Sequence, residues 1–339
     1  MPPAWQEQEQ HARTLAPRWV AAAFAAFFVC AAVLLGARQG YVAPPRVPAA
    51  LGVQAPPEPM PPALAGALLM KGRGALWQAM AALVDLADRG DVEVVETPGH
   101  LGSHKYDLIL RADAAAVEEH QRAVRDIVFG GPARPATVTL GTARSRLARR
   151  AKPFSAAVER DLGARGLLDP ARQAARNRLN SLALTVLLAG AAGCIAGAML
   201  IHTYGLWPYF VPAAVVAAGV TGLVMGAGMT ALTDEGVARA AAWRGFGREV
   251  DRFARHPDDR VPPSTWLAYA MAMGRAALWA SYLNKHQRDV PSWFHAAAGS
   301  SGHPASAFSG FVVLGGASST AGGGGSGAGA AGGGGSGAA

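Results

Sequence analysis

The chain has 339 residues, of which 51% are hydrophobic and only 16% charged, with a formal net charge of +8. Average soluble domains carry about a quarter charged residues, so the balance points to lipid, although Ala and Gly inflate the apolar share. The only two cysteines, Cys30 and Cys194, both lie in apolar runs; this excludes a disulfide framework or a Cys-based zinc site and reads as packing.

Residues 1–18 form a short extracytoplasmic N-terminus before "WVAAAFAAFFVCAAVLLGA", residues 19–37. That run has no charge and approaches the roughly 20 residues a helix needs to cross the hydrocarbon core. It reads as a first transmembrane helix. A cleavable signal peptide is the rival, with Arg13 and Arg18 ahead of the run, but Leu35-Gly36-Ala37 lacks a small residue at its first position. Residues 38–62, "RQGYVAPPRVPAALGVQAPPEPMPP", favour an extended Pro-rich linker.

From Ala63 the pattern turns helical. "ALAGALLMK" and "GALWQAMAALVDLADRG" are helix candidates, the second ended by Gly90. "DVEVVE", a turn "TPGHLGSH" and "KYDLILR" follow as strand, turn and strand. This order predicts a winged-helix-like module over residues 63–112. Residues 113–178 read as a second helical or winged-helix-like module, with "AAAVEEHQRAVRDIVFG", "LGTARSRLARRAK" and "FSAAVERDLGARG" as helices and "LLDP" as a short strand. His100 and His104 fall in the turn, with His120 as the nearest third ligand; zinc needs three or four, so turn polarity is the expected role. No metal or cofactor site is expected. The arginines of "RSRLARRAK" could meet phosphates, a solvated face or lipid headgroups.

Two more uncharged runs follow, "LALTVLLAGAAGCIAGAMLI" (182–201) and "YFVPAAVVAAGVTGLVMGAGM" (209–229). The connection between them is too short for a domain, so they form a hairpin of spans. Arg172, Arg176 and Arg178 stand just before the second span and mark its cytosolic side. Residues 38–180 carry 20 Lys/Arg against 14 Asp/Glu, a net of +6, in the same sense. Gly193 with Gly197, and Gly222 with Gly226, have the four-residue spacing that lets helices pack closely. No span contains Asp, Glu, Lys or Arg, which disfavours a transporter or an aspartyl intramembrane protease.

Residues 233–298 read as a cytosolic helical region. Thr233 can cap a helix carrying "RGFGR" (244–248), where Gly245 and Gly247 allow close approach to a neighbour. A phosphate loop would need a preceding strand and Gly-x-x-x-x-Gly-Lys spacing, and has neither. "TWLAYAMAMGRAALWASYLNK" reads as one helix buried against it, a fourth span or an interfacial helix being the alternatives. Residues 299–339, dominated by Gly, Ala and Ser, are expected to be a disordered tail.

The ordered pieces "PPALAGALL…LVDLADRGDVEV…YDLIL", "VRDIVFG…VTL…RGLL", the double span, "TDEGVARAAAWRGFGREVDRF", "LAYAMAMGRAALWASYL" and "PSWF" together resemble the YciQ-like predicted bacterial membrane proteins, domain of unknown function 2207. Family members usually carry an extracytoplasmic β-sandwich before the first span; only 18 residues stand there, so that domain is expected either to be missing or to lie outside this sequence. The resemblance implies no established enzymatic activity and transfers no catalytic residue.

The fold class expected is therefore a mainly α membrane protein: three transmembrane helices, a cytosolic α+β (tandem winged-helix-like) region and a disordered Gly-rich tail. The expected location is the inner membrane, multi-pass, with the bulk of the chain cytoplasmic. The expected function is non-enzymatic, a membrane-anchored protein-interaction or scaffold module whose partners are membrane lipid and unknown proteins. A membrane-tethered nucleic-acid regulator is the alternative.

Overall fold

The computed structural model describes residues 4–70, 74–98, 104–111, 118–131, 137–204, 207–258, 260–286, 290–297 and 303–316. The helices are, in chain order, α1 (Ala4–Arg38), α2 (Pro62–Met70), α3 (Ala75–Asp88), α4 (Glu119–Phe129), α5 (Leu140–Arg149), α6 (Ala151–Ala164), α7 (Pro170–Tyr204), α8 (Phe210–Gly228), α9 (Asp234–Arg255), α10 (Thr265–Ala272), α11 (Ala276–His286) and α12 (Pro304–Gly316). The strands are β1 (Val92–Pro98), β2 (His104–Leu110), β3 (Thr137–Thr139) and β4 (Phe294–His295). Two units divide the chain: Met1–Pro59, Leu68–Arg73 and Val158–Glu249 form the first, and Met60–Ala67, Gly74–Ala157 and Val250–Ala339 the second.

In the first unit, three helices are long and apolar enough to cross a membrane: Ala16–Arg38 in α1, Pro170–Ala198 in α7, and Phe210–Gly228, which is α8. Their outward side chains are apolar and uncovered, with Phe28 65%, Ile195 71% and Val224 67% exposed. Water would penalise such surface; lipid does not. Glycines set the α7–α8 approach. A Cβ on Gly190 would lie 2.8 Å from the Val216 amide nitrogen, and one on Gly219 2.7 Å from that of Leu187. Real Cβ atoms do not come so close, so the two backbones can meet only without side chains there.

The helix ends are built from local chemistry. Asp169 accepts hydrogen bonds from the Ala171 and Arg172 amides (2.8 and 3.2 Å) and caps α7, with Pro170 at the first helical position. α7 therefore begins well before residue 182, and residues 170–178, expected in a second winged-helix-like module, are its first turns. Thr233 caps α9 as the sequence suggested, its Oγ1 accepting from the Gly236 amide at 3.0 Å. Leu168, in the expected "LLDP" strand, forms an isolated antiparallel bridge with Leu232.

The second unit is a four-stranded sheet, order β3-β2-β1-β4, wrapped by helices. β1 and β2 pair antiparallel, with Val94 opposite Leu108 and Glu96 opposite Tyr106. The period-2 alternation turns Val92, Val94 and Glu96 inward. Glu96, 3% exposed, is tied to His104 Nδ1 and accepts from the Ala297 amide at 3.0 Å. α3 ends at Gly90 (φ 86°), with the Gly90 and Asp91 amides donating back to Ala87 and Leu86. Burial raises the Asp85 carboxyl above its ordinary pKa, although Arg89 and a hydrogen bond from Gln121 (2.8 Å) favour its charged form.

Three expectations need correction. Residues 113–178 do not build a separate tandem module, because β3 joins the edge of the hairpin sheet through Leu108–Val138 pairing. The segment 264–285 is two helices, not one. Gly274 at φ 73° reverses the backbone, and the Arg275 amide closes onto the Ala270 carbonyl at 2.7 Å. Neither piece is long enough to span; Trp266, Trp279 and Tyr282 instead surround Phe253. Finally, residues 304–316 of the expected tail form α12. Phe308, Phe311 and Val312 share one helix face and are buried, with the Phe308 and Phe311 rings edge-on to Trp293. Residues 317–339 lie outside the described residues.

Candidate functional site at the charged end of the spans

The end of α1, the start of α7 and the end of α8 meet in a small core of Leu34, Ala37, Leu179, Ala183 and Met229. Tyr41, just past α1, closes it: its hydroxyl donates to the Thr230 carbonyl (3.2 Å) and accepts from the Thr230 amide (2.9 Å). These paired bonds satisfy a backbone that has left its helix.

The Pro-rich segment does not run free from there. It lies along α9 as a strap. Arg244 donates to the Val47 carbonyl at 3.1 Å, and Arg248 to the Ala49 and Ala50 carbonyls at 2.9 and 3.1 Å. The Trp243 indole donates to Glu58 at 3.2 Å, and Arg239 pairs with Glu58 at 3.2 Å. Extended Pro-rich chain offers carbonyls with few amide partners, and arginine supplies donors that reach them. Gly245 makes the contact possible, since a Cβ there would lie 2.5 Å from the Ala50 carbonyl oxygen. "RGFGR" is thus a seat for the strap.

A cavity of about 620 Å³ opens between strap and span ends. Met225 and Met229 at the end of α8, with Leu68 and Leu69 of α2, give it an apolar wall; Arg38, Arg46 and Arg244 stand at it as cations. Its described lining contains no acidic residue. Among the described residues Arg38 and Arg46 make no ion pair, and both are exposed. The volume lies within the range of small-ligand sites, and the chemistry suits an anion joined to something apolar.

The residues singled out from sequence are placed as follows. Arg172 is held inside the protein: it donates to the Leu232 carbonyl (2.7 Å) and to Asp234 (2.9 Å) and lies 3.4 Å from Asp169, clamping α7 to α9. Arg176 is half-buried and Arg178 exposed. A Cβ on Gly193 would touch Pro212 at 3.0 Å, and one on Gly222 would meet Ala183 at 2.8 Å and Leu34 at 2.9 Å. At Gly226 it would overlap Asn180, whereas at Gly197 it would meet only the Tyr209 ring at 3.8 Å. His104 opens β2 rather than sitting in a turn and is bonded to Glu96; His120 is buried on α4; His100 lies outside the described residues. Sequence reasoning missed Arg38 and Arg46. The signal was present, since Arg38 ends the first apolar run and Arg46 follows a Pro-Pro pair.

Three helices long and apolar enough to cross a membrane, with arginines at one end, are the mark of an integral membrane protein. Residues 53–283 match the family described as predicted membrane protein (DUF2207), C-terminal domain, and the chain belongs to that family. Comparison with curated proteins and with solved structures finds no match.

Proposed function

We propose that the chain is a three-span protein of the inner membrane, that its bulk is cytoplasmic, and that it works as a membrane-anchored protein-interaction module rather than as an enzyme. The observation that carries the orientation is the imbalance of charge about the spans. Arg38, Arg172, Arg176, Arg178 and Arg244 belong to the side where α1 ends, α7 starts and α8 has ended. The sequence between the second and third apolar runs, 202–208, holds no Lys or Arg, and the Arg13 and Arg18 that precede the first run are balanced by Glu7 and Glu9. Positive charge on one side of a set of spans favours the cytoplasmic side for that end.

The non-enzymatic reading is supported by the use of two carboxylates in the second unit, the half-buried Asp85 and the buried Glu96. Asp85 is engaged by Gln121 and Arg89, and Glu96 by His104 and the Ala297 amide, so both serve the fold. The interaction reading is supported by a groove of about 260 Å³ in the same unit, walled by Pro262, Pro263, Trp279, Tyr282 and Pro291, with Val261 74% exposed at its edge. Rigid aromatic and proline walls suit an apolar side chain from a partner protein. The nucleic-acid reading is less well supported: Arg146 donates to the Val128 carbonyl and Arg149 to Ser145, which occupies part of the basic run.

A photo-crosslinking residue in place of Val261, in the full chain in intact cells, tests the interaction. One discrete adduct is expected, and it should vanish when Ser264→Trp fills the groove. No adduct, or an adduct indifferent to the filling, speaks against it.

A further inference from the structure

We infer that the cavity between strap and span ends is a binding site for the phosphate-bearing head of an anionic membrane lipid. The inference rests on the membrane reading above, and four observations converge on it. The cavity lies where α1 and α8 end, which is the depth of the headgroups if those helices span. Its cations carry no counter-charge from the described lining: Arg38 and Arg46 are exposed, have no ion-pair partner among the described residues, and face a wall without Asp or Glu. One side is apolar, made by Met225, Met229, Leu68 and Leu69, so the site offers an acyl-chain surface beside a phosphate surface. The frame is pre-built: Tyr41 is locked to Thr230, and the strap is locked to Arg244 and Arg248, so the cations are carried on backbone that is already fixed.

A guanidinium is the side chain best matched to phosphate, through parallel N–H donors and a permanent charge. Arg244 already donates to the Val47 carbonyl and contributes charge and strap position, which leaves Arg38 and Arg46 as the principal phosphate ligands. Inorganic phosphate shares the head's chemistry but would leave the methionine and leucine wall uncovered, so a lipid accounts for both halves of the cavity.

The test uses the full chain purified in mild detergent and observed by native mass spectrometry with added lipid. Phosphatidylglycerol is expected to stay bound at stoichiometric ratio, and phosphatidylcholine to be lost under the same activation. Arg38→Gln with Arg46→Gln should reduce phosphatidylglycerol retention about tenfold or more, since each basic side chain near a lipid surface contributes appreciably. Both residues are exposed, so the melting temperature should hold. Ala43→Trp keeps every arginine and fills the cavity; it too should lose the lipid. Equal retention by wild type and both variants would overturn the site. So would equal retention of phosphatidylcholine. Millimolar inorganic phosphate should not displace the lipid; full displacement would assign the cavity to a soluble phosphate compound instead and overturn the lipid reading. None of these results depends on which side of the membrane the cavity faces, so the topology can fail while the site stands.

Discussion

At Gly245 one methyl group decides whether strap and helix can coexist. The Ala50 carbonyl occupies the space a side chain would need, and it is backbone, which cannot swing aside as a side chain can. Gly245→Ala should lower stability by about 1–3 kcal/mol, read as a lower melting temperature in detergent. Gly163→Ala, on α6 with open space around it, should instead raise stability by roughly 0.5–1 kcal/mol. Two tyrosines set the alkaline limit. Tyr106 and Tyr269 are pushed up to about 12, mainly by burial and further by the nearby carboxylates Glu96 and Asp85. Their hydroxyls donate to the Ala307 and Met60 carbonyls, each at 2.7 Å. A folded-state pKa above the ordinary 10.0 means that their contribution is complete below pH 10 and is lost as pH rises toward 12. Melting temperature against pH should fall across that window, and the fall should be shallower in the Tyr106→Phe, Tyr269→Phe double variant.

At the scale of elements, α12 is the piece whose removal should be felt most. Phe308 stacks with Phe311 and meets Trp293 and Phe294 edge-on, so Phe308→Ala should cost about 3–5 kcal/mol. Urea or thermal unfolding of the full chain measures it, and a loss under 1 kcal/mol would mean that α12 is not part of the core. The spans were legible because some twenty residues without a charge leave a helix few other solvents. The strands β1 and β2 were legible from alternation, and the α9 cap from Thr233. α12 was not, because composition averaged over residues 299–339 hid the spacing of Phe308, Phe311 and Val312 under the glycines. β3 was not legible as a sheet edge either: pairing partners are set by tertiary contact, and three residues carry too little pattern to name one. The glycine spacing of four led to Gly193 and Gly222, but the tightest backbone approaches are at Gly190 and Gly219, each three residues earlier on the same face. Gly219→Val should therefore destabilise the α7–α8 pair more than Gly197→Val, as a larger drop in melting temperature.

For the whole molecule, the cationic cavity illustrates what a linear reading can miss. Arg38 and Arg46 are near each other in sequence but far from Arg244, and they meet it only because the strap folds back along α9. Strap, clamp and cap all sit at one end of the three spans, and the orientation of that end determines what the protein can meet. The most direct measurement is accessibility of single cysteines, placed at Ala43 and at Trp207 in a chain carrying Cys30→Ser and Cys194→Ser, to a membrane-impermeant maleimide. In intact cells the residue at 207 should label, and the residue at 43 should label only after the membrane is opened. Labelling at 43 in intact cells would put the arginine-rich end outside and contradict the topology.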